Sequence, residues 1–172
     1  MIVFDTLDYL KTGNALQQKS YAILTSHRIF EILADFDPIL VGTIPIDIAI
    51  DSSDLDIGCY WQNKELFIAK LIADFSGYKD FSWQELQIGG AETIVANFFV
   101  EAIEIEIFGQ NIPTREQNGY RHMLIEYRLL QERGEVFREA VIALKKSGIK
   151  TEPAFAQLLN IKGDPYLGLL EL

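Results

Sequence analysis

Asp54 and Asp56 stand one residue apart in the stretch GTIPIDIAIDSSDLDI (42–57), behind Ser52 and Ser53 and about a dozen residues after a Gly42-Thr43 pair. On a strand, residues i and i+2 project from one face with Cβ atoms roughly 7 Å apart. Carboxylates so placed repel, and solvent, a proton or a cation has to offset the repulsion. A hard divalent ion such as Mg²⁺ takes oxygen ligands from one or two carboxylates plus substrate phosphates. Two such ions can clamp the attacking and leaving oxygens of an in-line displacement. A third carboxylate is available in AETIVANFFVEAIEIEIFG (91–109). There Ile103, Ile105 and Ile107 share the face that must turn to a core, which leaves Glu104 and Glu106 on the other. Glu106 is the preferred third acid because the strand ends soon after it, at Gly109; Glu104 is the fallback.

Gly42-Thr43 supplies a second component. A glycine at the end of a buried strand lets backbone N–H groups approach a phosphate, and the Thr43 hydroxyl adds a donor. Pro45 lacks an N–H and holds Ile44 extended, so the turn that follows need not be a full helix. Each signal alone is weak: an isolated Asp-x-Asp is more often a solvated strand start, and Gly-Thr is commoner still. The ordered set of Gly-Thr, a gap, Ser-Asp-Leu-Asp and a later acidic strand is far more selective.

The elements that must position these groups read as follows. GNALQQKSYAILTSHRIFEILADF (13–36) is helical, with Asn14 as N-cap and a break near Ser26 or His27. DPILVGT opens with a turn and gives a short buried strand ending at Gly42. In SDLDIGCYW, Asp54 and Asp56 face one way and Leu55 and Ile57 the other. NKELFIAKLIADF is a helix capped by Asn63, with Phe67, Leu71 and Phe75 on its inner stripe. KDFSWQELQIGG and AETIVANFFVEAIEIEIFG read as one strand each, paired as a hairpin. Beyond Pro113 the chain turns helical. NGYRHMLIEYRLL presents Met123, Tyr127 and Leu130. GEVFREAVIALKKSG presents Phe137, Val141 and Leu144 and ends on Lys145, Lys146 and Gly148. TEPAFAQLL starts at Thr151 as N-cap, with Pro153 in its first turn. The order predicts an α+β fold, a small sheet with a helical C-terminal layer. It is expected as a single domain over 1–172: N-terminal helices over 1–36, a sheet core over 37–109 and a helical part over 110–172.

With 49% hydrophobic residues and 12% aromatics, 172 residues can build a real core. The single cysteine, Cys59, excludes an internal disulfide framework and a Cys-rich zinc site. The N-terminus is interrupted by Asp5 and Asp8 and does not read as a signal peptide. No apolar run approaches the roughly 18 residues of a membrane span. These features lead to the expectation of a cytoplasmic protein. A net charge of −10 disfavours broad nucleic-acid binding.

Among the other polar residues, Gln117 and Asn118 open a helix on which Arg121 and Arg128 share a face suited to phosphates; a solvated or ion-paired face is the alternative. His122 and Glu126, four apart, suit a surface pair. His122 is also a candidate base or ligand, though a structural histidine is the simpler reading. Arg115 and Lys150 are further phosphate candidates. Trp61 and Trp83 suit a core or a cleft wall. No nucleophile elbow, P-loop lysine or dinucleotide fingerprint is present.

The series GT…SSDLDI…EIEIF resembles the nucleotidyltransferase superfamily, whose members include the polymerase-beta-like enzymes and whose pattern is Gly-Ser, Asp-x-Asp on a strand and a third acid on a later strand. The match covers roughly Asp37 to Gly109. The segments DPILVGTIPI, SSDLDI, EIFGQ, QNGYRHMLIEYRLL, KTEPAFAQLL and GDPY resemble a bacterial family of uncharacterised domains assigned to that superfamily. The resemblance implies a mixed sheet flanked by helices. It implies Asp54, Asp56 and Glu106 as ligands of Mg²⁺ or Mn²⁺, with Glu106 helping to deprotonate an acceptor hydroxyl. Gly42 and Thr43 would lie against a donor NTP, with Ser53, Arg121 and His122 as further substrate contacts. The expected activity is transfer of NMP from NTP to a hydroxyl on a small molecule, a protein or an RNA end. A non-catalytic nucleotide-binding or interaction domain of the same fold is the alternative.

Overall fold

The computed structural model describes residues 3–172; Met1 and Ile2, at the start of the expected N-terminal part, lie outside the described residues. Helix α1 (Ala15–Ser26) begins in a capping box: the Asn14 side chain accepts from Gln17 N–H while the Gln17 side chain accepts from Asn14 N–H. His27 caps its end, Arg28 turns left-handed at φ 55°, and α2 (Ile29–Ile32) resumes. The break therefore falls where the sequence placed it. Strand β1 (Ile39–Val41) is buried throughout, and β2 (Leu55–Tyr60) follows after a long loop. Helix α3 (Lys64–Phe75) is capped by Asn63, whose side chain accepts from Leu66 N–H, and buries Phe67, Leu71 and Phe75.

The next segment corrects the sequence reading. The expected long strand over 91–109 is two strands, β4 (Ala91–Val100) and β5 (Ile103–Gln110), joined by a tight turn at Glu101-Ala102. Glu101 sits at φ 55°, so a non-glycine residue carries the left-handed turn and no Gly or Pro betrays it. With β3 (Lys79–Ile88), these strands form a meander. Trp83 lies on β3 and is 39% exposed, outside the core, whereas Trp61 is buried.

The five strands run in the order β1-β2-β5-β4-β3, with β2 and β5 parallel and every other pair antiparallel. Leu55 and Ile57 of β2, Ile105 and Ile107 of β5, and Ile94 and Phe98 of β4 join one core with α1, α2 and α3. The opposite face looks toward the C-terminal helices α4 (Asn118–Arg133), α5 (Glu135–Lys146), α6 (Thr151–Leu159) and α7 (Pro165–Leu170). Their second core joins Met123, Leu130, Val141 and Phe155 to Ile39 and Val41. Lys150, not Thr151, precedes α6 as its cap residue, and Asp164 caps α7. The fold is a mixed five-stranded sheet with helices on both faces. No helix among the described residues is long and apolar enough to cross a membrane.

Candidate active site

Alternation along β2 puts Leu55 and Ile57 into the first core and turns Asp56 toward the helical layer. The parallel pairing of β2 with β5 is in register, Asp56 opposite Glu106, and Glu106 is opposite Asn97 on β4. One row across the sheet thus reads Val41, Asp56, Glu106, Asn97. Asn97 donates to Glu106 at 3.2 Å and to Glu104 at 3.0 Å. Asp54, just before β2, completes the set of acids. Asp54, Asp56 and Glu106 line one cavity of ≈ 810 Å³, together with Thr43, Ser53 and Lys145. Glu104, one pleat away and opposite Phe99, is outside that lining.

Gly42 sits directly beneath this row. Its φ of 80° is left-handed, and a Cβ there would collide with the Asp56 carboxylate. The glycine is therefore required twice, by the backbone turn and by the acid. Thr43 donates to the Ser53 hydroxyl at 3.3 Å, and Ser53 accepts from Ile50 N–H at 3.0 Å. The loop between Thr43 and Asp54 is tied down from both sides. Ile44, Ile46 and Ile48 are buried, and long side chains satisfy the carbonyls. Gln17 donates to Ile44 O, Arg138 to Ile46 O and Asp47 O, and Lys145 to Ile48 O.

The electrostatics follow from crowding acids in a half-closed space. Burial raises the Asp56 carboxyl well above the usual range. Asp54 and Glu106 push the same way, and Lys145 opposes them. Glu106 is also raised, first by burial, against the Asn97 hydrogen bond. Two further carboxylates come from the helices. Glu126 on α4 is 3% exposed, its Oε1 has no hydrogen-bond partner, and burial with Glu152 nearby raises it to about 8. Lys145 on α5 is pushed down to about 8 by burial, against the pull of Glu126, Asp56, Glu152 and Asp54.

A second cavity of ≈ 650 Å³ adjoins the first across a shared wall of Thr43, Asp56, Glu106, Glu152 and Tyr166, and reaches Gly42, His122 and Glu126. His122 is buried, not on a helix surface. Its Nε2 lies 2.9 Å from Tyr166 O and its Nδ1 3.7 Å from Glu152, so it faces α6 and α7 rather than pairing with Glu126. Arg121 is not brought to either cavity. It sits on the exposed face of α4 with its guanidinium on Asn118, because the inner stripe is taken by His122, Met123 and Glu126. Arg128, on that exposed face as well, pairs with Glu132. Arg115 is held by Asp5 and Asp37, while Lys150 lines the first cavity.

Lys145, Glu126 and Glu152 were missed from sequence as site groups, although a signal was available for the first two. Glu126 falls on the apolar stripe of α4 with Met123 and Leu130, and Lys145 on that of α5, four residues after Val141. An ionisable residue on a core-facing stripe is a buried charge in need of a reason. No such pattern singles out Glu152.

An all-oxygen set whose acidity is governed by burial and like charges suits a hard divalent cation. As placed, however, no three His, Cys, Asp or Glu side chains among the described residues are grouped closely enough to hold a metal ion.

A family model described as "Domain of unknown function (DUF4269)" matches residues 22–172. No curated protein matches the chain. Among solved structures, the chain is similar to the Cid1 poly(U) polymerase with MgGTP bound, at 13% identity over 74% of this chain and 41% of that one, TM-score 0.54. It is similar to the GLD-2/RNP-8 complex at 15% identity over 88% and 60%, TM-score 0.55. A cytoplasmic RNA terminal U-transferase matches at 15% identity over 81% and 41%, TM-score 0.51. The chain therefore spans 41% to 60% of the length of these polymerase chains. At such identities the likeness is one of fold.

Proposed function

The chain belongs to the family described as domain of unknown function DUF4269 and has the nucleotidyltransferase fold, and from that premise we propose that it is an Mg²⁺-dependent nucleotidyltransferase moving NMP from NTP to a hydroxyl acceptor. The observation that carries this reading is the register of Asp56 with Glu106 on adjacent parallel strands, above a Gly42 that admits no side chain. Asp54, Asp56 and Glu106 would hold the metal, which would neutralise charge on the donor phosphates. Thr43 and Ser53, with Lys145 and Lys150 from the helical side, offer hydroxyl and ammonium donors to the triphosphate. In the reaction the acceptor oxygen forms a bond to the α-phosphorus. The bond from that phosphorus to the bridging oxygen breaks and pyrophosphate leaves. The hydroxyl proton passes to the Glu106 carboxylate, whose pKa burial raises, so that it holds a proton more readily than a free carboxylate.

Thermal unfolding tests the reading. At a free NTP concentration of 100 times Kd, with Mg²⁺, binding stabilises by about 2.7 kcal/mol, about 5–10 °C in Tm for a chain of this size. Asp54→Ala combined with Asp56→Ala should abolish that increment while raising the ligand-free Tm, because it removes a half-buried pair of like charges. An equal increment in both proteins refutes the assignment.

One observation favours a second reading, a non-catalytic nucleotide-binding module: no three acids among the described residues are grouped closely enough for an ion. Saturable NTP binding without pyrophosphate release against any acceptor would establish it.

A further inference from the structure

The two adjoining cavities differ in charge, and the difference bears on the acceptor. The first cavity, lined by Lys145, Lys150, Ser52 and Ser53, has the donors a triphosphate needs. The second contains five carboxylates in its lining, Asp56, Glu106, Glu126, Glu152 and Asp164, and no lysine or arginine among the described residues. Lys145 lines the first cavity and donates to Ile48 O, and Arg115 is paired with Asp5 and Asp37. Glu126 is the strongest pointer. It lines this cavity, is buried, and holds Oε1 without a partner. A buried acceptor atom left unpaired is costly, and a donor supplied by a ligand removes that cost. Part of the remaining wall is apolar, with Val41, Met123, Tyr120 and Leu167 offering a surface for a carbon frame.

We propose that this second cavity is the acceptor site and that it takes a small hydroxyl compound carrying one or more amino groups, rather than an RNA end. The assignment rests on the nucleotidyltransferase reading above. An ammonium brings several donors and a positive charge to Glu126 and Glu152, where charge-assisted bonds form away from water. A hydroxyl on the same frame then lies at the wall shared with the first cavity, where Asp56 and Glu106 stand. A phosphodiester backbone meets the opposite situation. Recognition of single strands uses a positively charged groove, and this cavity offers carboxylates in a chain of net charge −10.

The test is calorimetric titration of the full chain at 0.15 M salt, with and without Mg²⁺ and a non-hydrolysable NTP. Three isosteric pairs serve as probes: 1,3-diamino-2-propanol against glycerol, glucosamine against glucose, and 2-deoxystreptamine against inositol. A ten-residue oligoadenylate is the polyanion control. In at least one pair the amine should bind tenfold or more tightly than its neutral partner, and the oligoadenylate should not bind. Glu126→Gln should reduce that preference at least threefold. Leu167→Lys, at a 61% exposed position on the cavity wall where folding is not at risk, should do the same. No preference in any pair, tighter binding of the oligoadenylate, or a preference that both variants leave intact overturns the proposal. NTP binding is scored in the same titrations. Its presence without amine preference ends only the acceptor assignment. Its absence with the preference intact ends the nucleotidyl reading, and the cavity stands as an amine site alone.

Discussion

Glu126 is the residue whose environment makes the sharpest claim on stability. Its carboxyl moves from 4.5 to about 8 on folding, chiefly through burial, with Glu152 adding and Lys145 opposing. Between those values the folded state holds a proton that the unfolded state has released. Stability therefore falls as pH rises from about 4.5 to 8, and the loss is complete above 8. Lys145 runs the other way and higher: lowered from 10.5 to about 8, it is protonated in the unfolded chain and neutral in the folded one between those values. Stability regained with pH therefore belongs above 8, and the pair places a minimum near pH 8. At roughly 1.4 kcal/mol per pH unit, the Glu126 displacement sets a ceiling of about 5 kcal/mol. Relaxation of the site and its coupling to neighbouring groups reduce the share carried by Glu126 alone to roughly 2–3 kcal/mol. Unfolding entropy for a chain of this length is about 0.36 kcal/mol/K, so the effect is about 6–8 °C in Tm.

Glu126→Gln keeps the shape and removes the titration. The variant and the natural chain should melt within a degree or two of each other at pH 5, where both side chains are neutral. The variant should be more stable by about 6–8 °C at pH 8, by the same arithmetic. Asp56 and Glu106 titrate upward in both proteins and cancel in the difference. Calorimetric melting at half-unit steps from pH 5 to 8 measures it. A Tm difference that stays constant across that range refutes the claim that burial of this carboxyl is what the fold tolerates at neutral pH.

Two other outcomes follow from the same geometry. Gly42→Ala forces a side chain to φ 80° and into the Asp56 carboxylate; it should cost at least about 1–2 kcal/mol in urea unfolding and remove Mg²⁺-dependent NTP binding, and normal binding with normal stability would contradict the coupling of glycine to acid. Cys59 is fully buried, with its thiol held well above the ordinary range by burial, so a disulfide reagent should label it only at the global unfolding rate; labelling of the folded chain within seconds would contradict that.

What was legible in the sequence was whatever a local pattern determines. Asn14 before α1, Asn63 before α3, and the stripe of Phe67, Leu71 and Phe75 are short-range features, and they determine where their elements begin and which face turns inward. The alternation of Leu55 and Ile57 with Asp56 set the faces of β2 in the same way. The turn at Glu101 escaped because its left-handed residue is a glutamate, and strand alternation continues on both sides of it. Arg121 was drawn toward phosphates by its neighbours in sequence, yet its position on α4 puts it one step off the inner stripe. Lys145 looked like a helix-ending cation. Its ammonium instead reaches Ile48 O, 97 residues earlier in the chain, a partnership no window could contain.

The arrangement of acids follows from the topology rather than from the acidic residues themselves. The in-register pairing of β5 with β2 sets a second carboxylate beside Asp56, and β5 takes that place because the β3–β4 meander returns the chain to the centre of the sheet. The face opposite the first core would ordinarily be closed by α4 to α7 with apolar side chains. Here Asp56, Glu106, Glu126 and Glu152 occupy the interval between sheet and helices, and two cavities remain where a core would have filled in. A fold that leaves four acids at that junction forgoes packing there, which is the usual position of a ligand site. The cations offset part of the repulsion from one side only, through Lys145 and Lys150. That asymmetry separates the proposed phosphate-binding side from the proposed amine-binding side, and it is a property of helices α4 to α7 that the shared sheet does not supply.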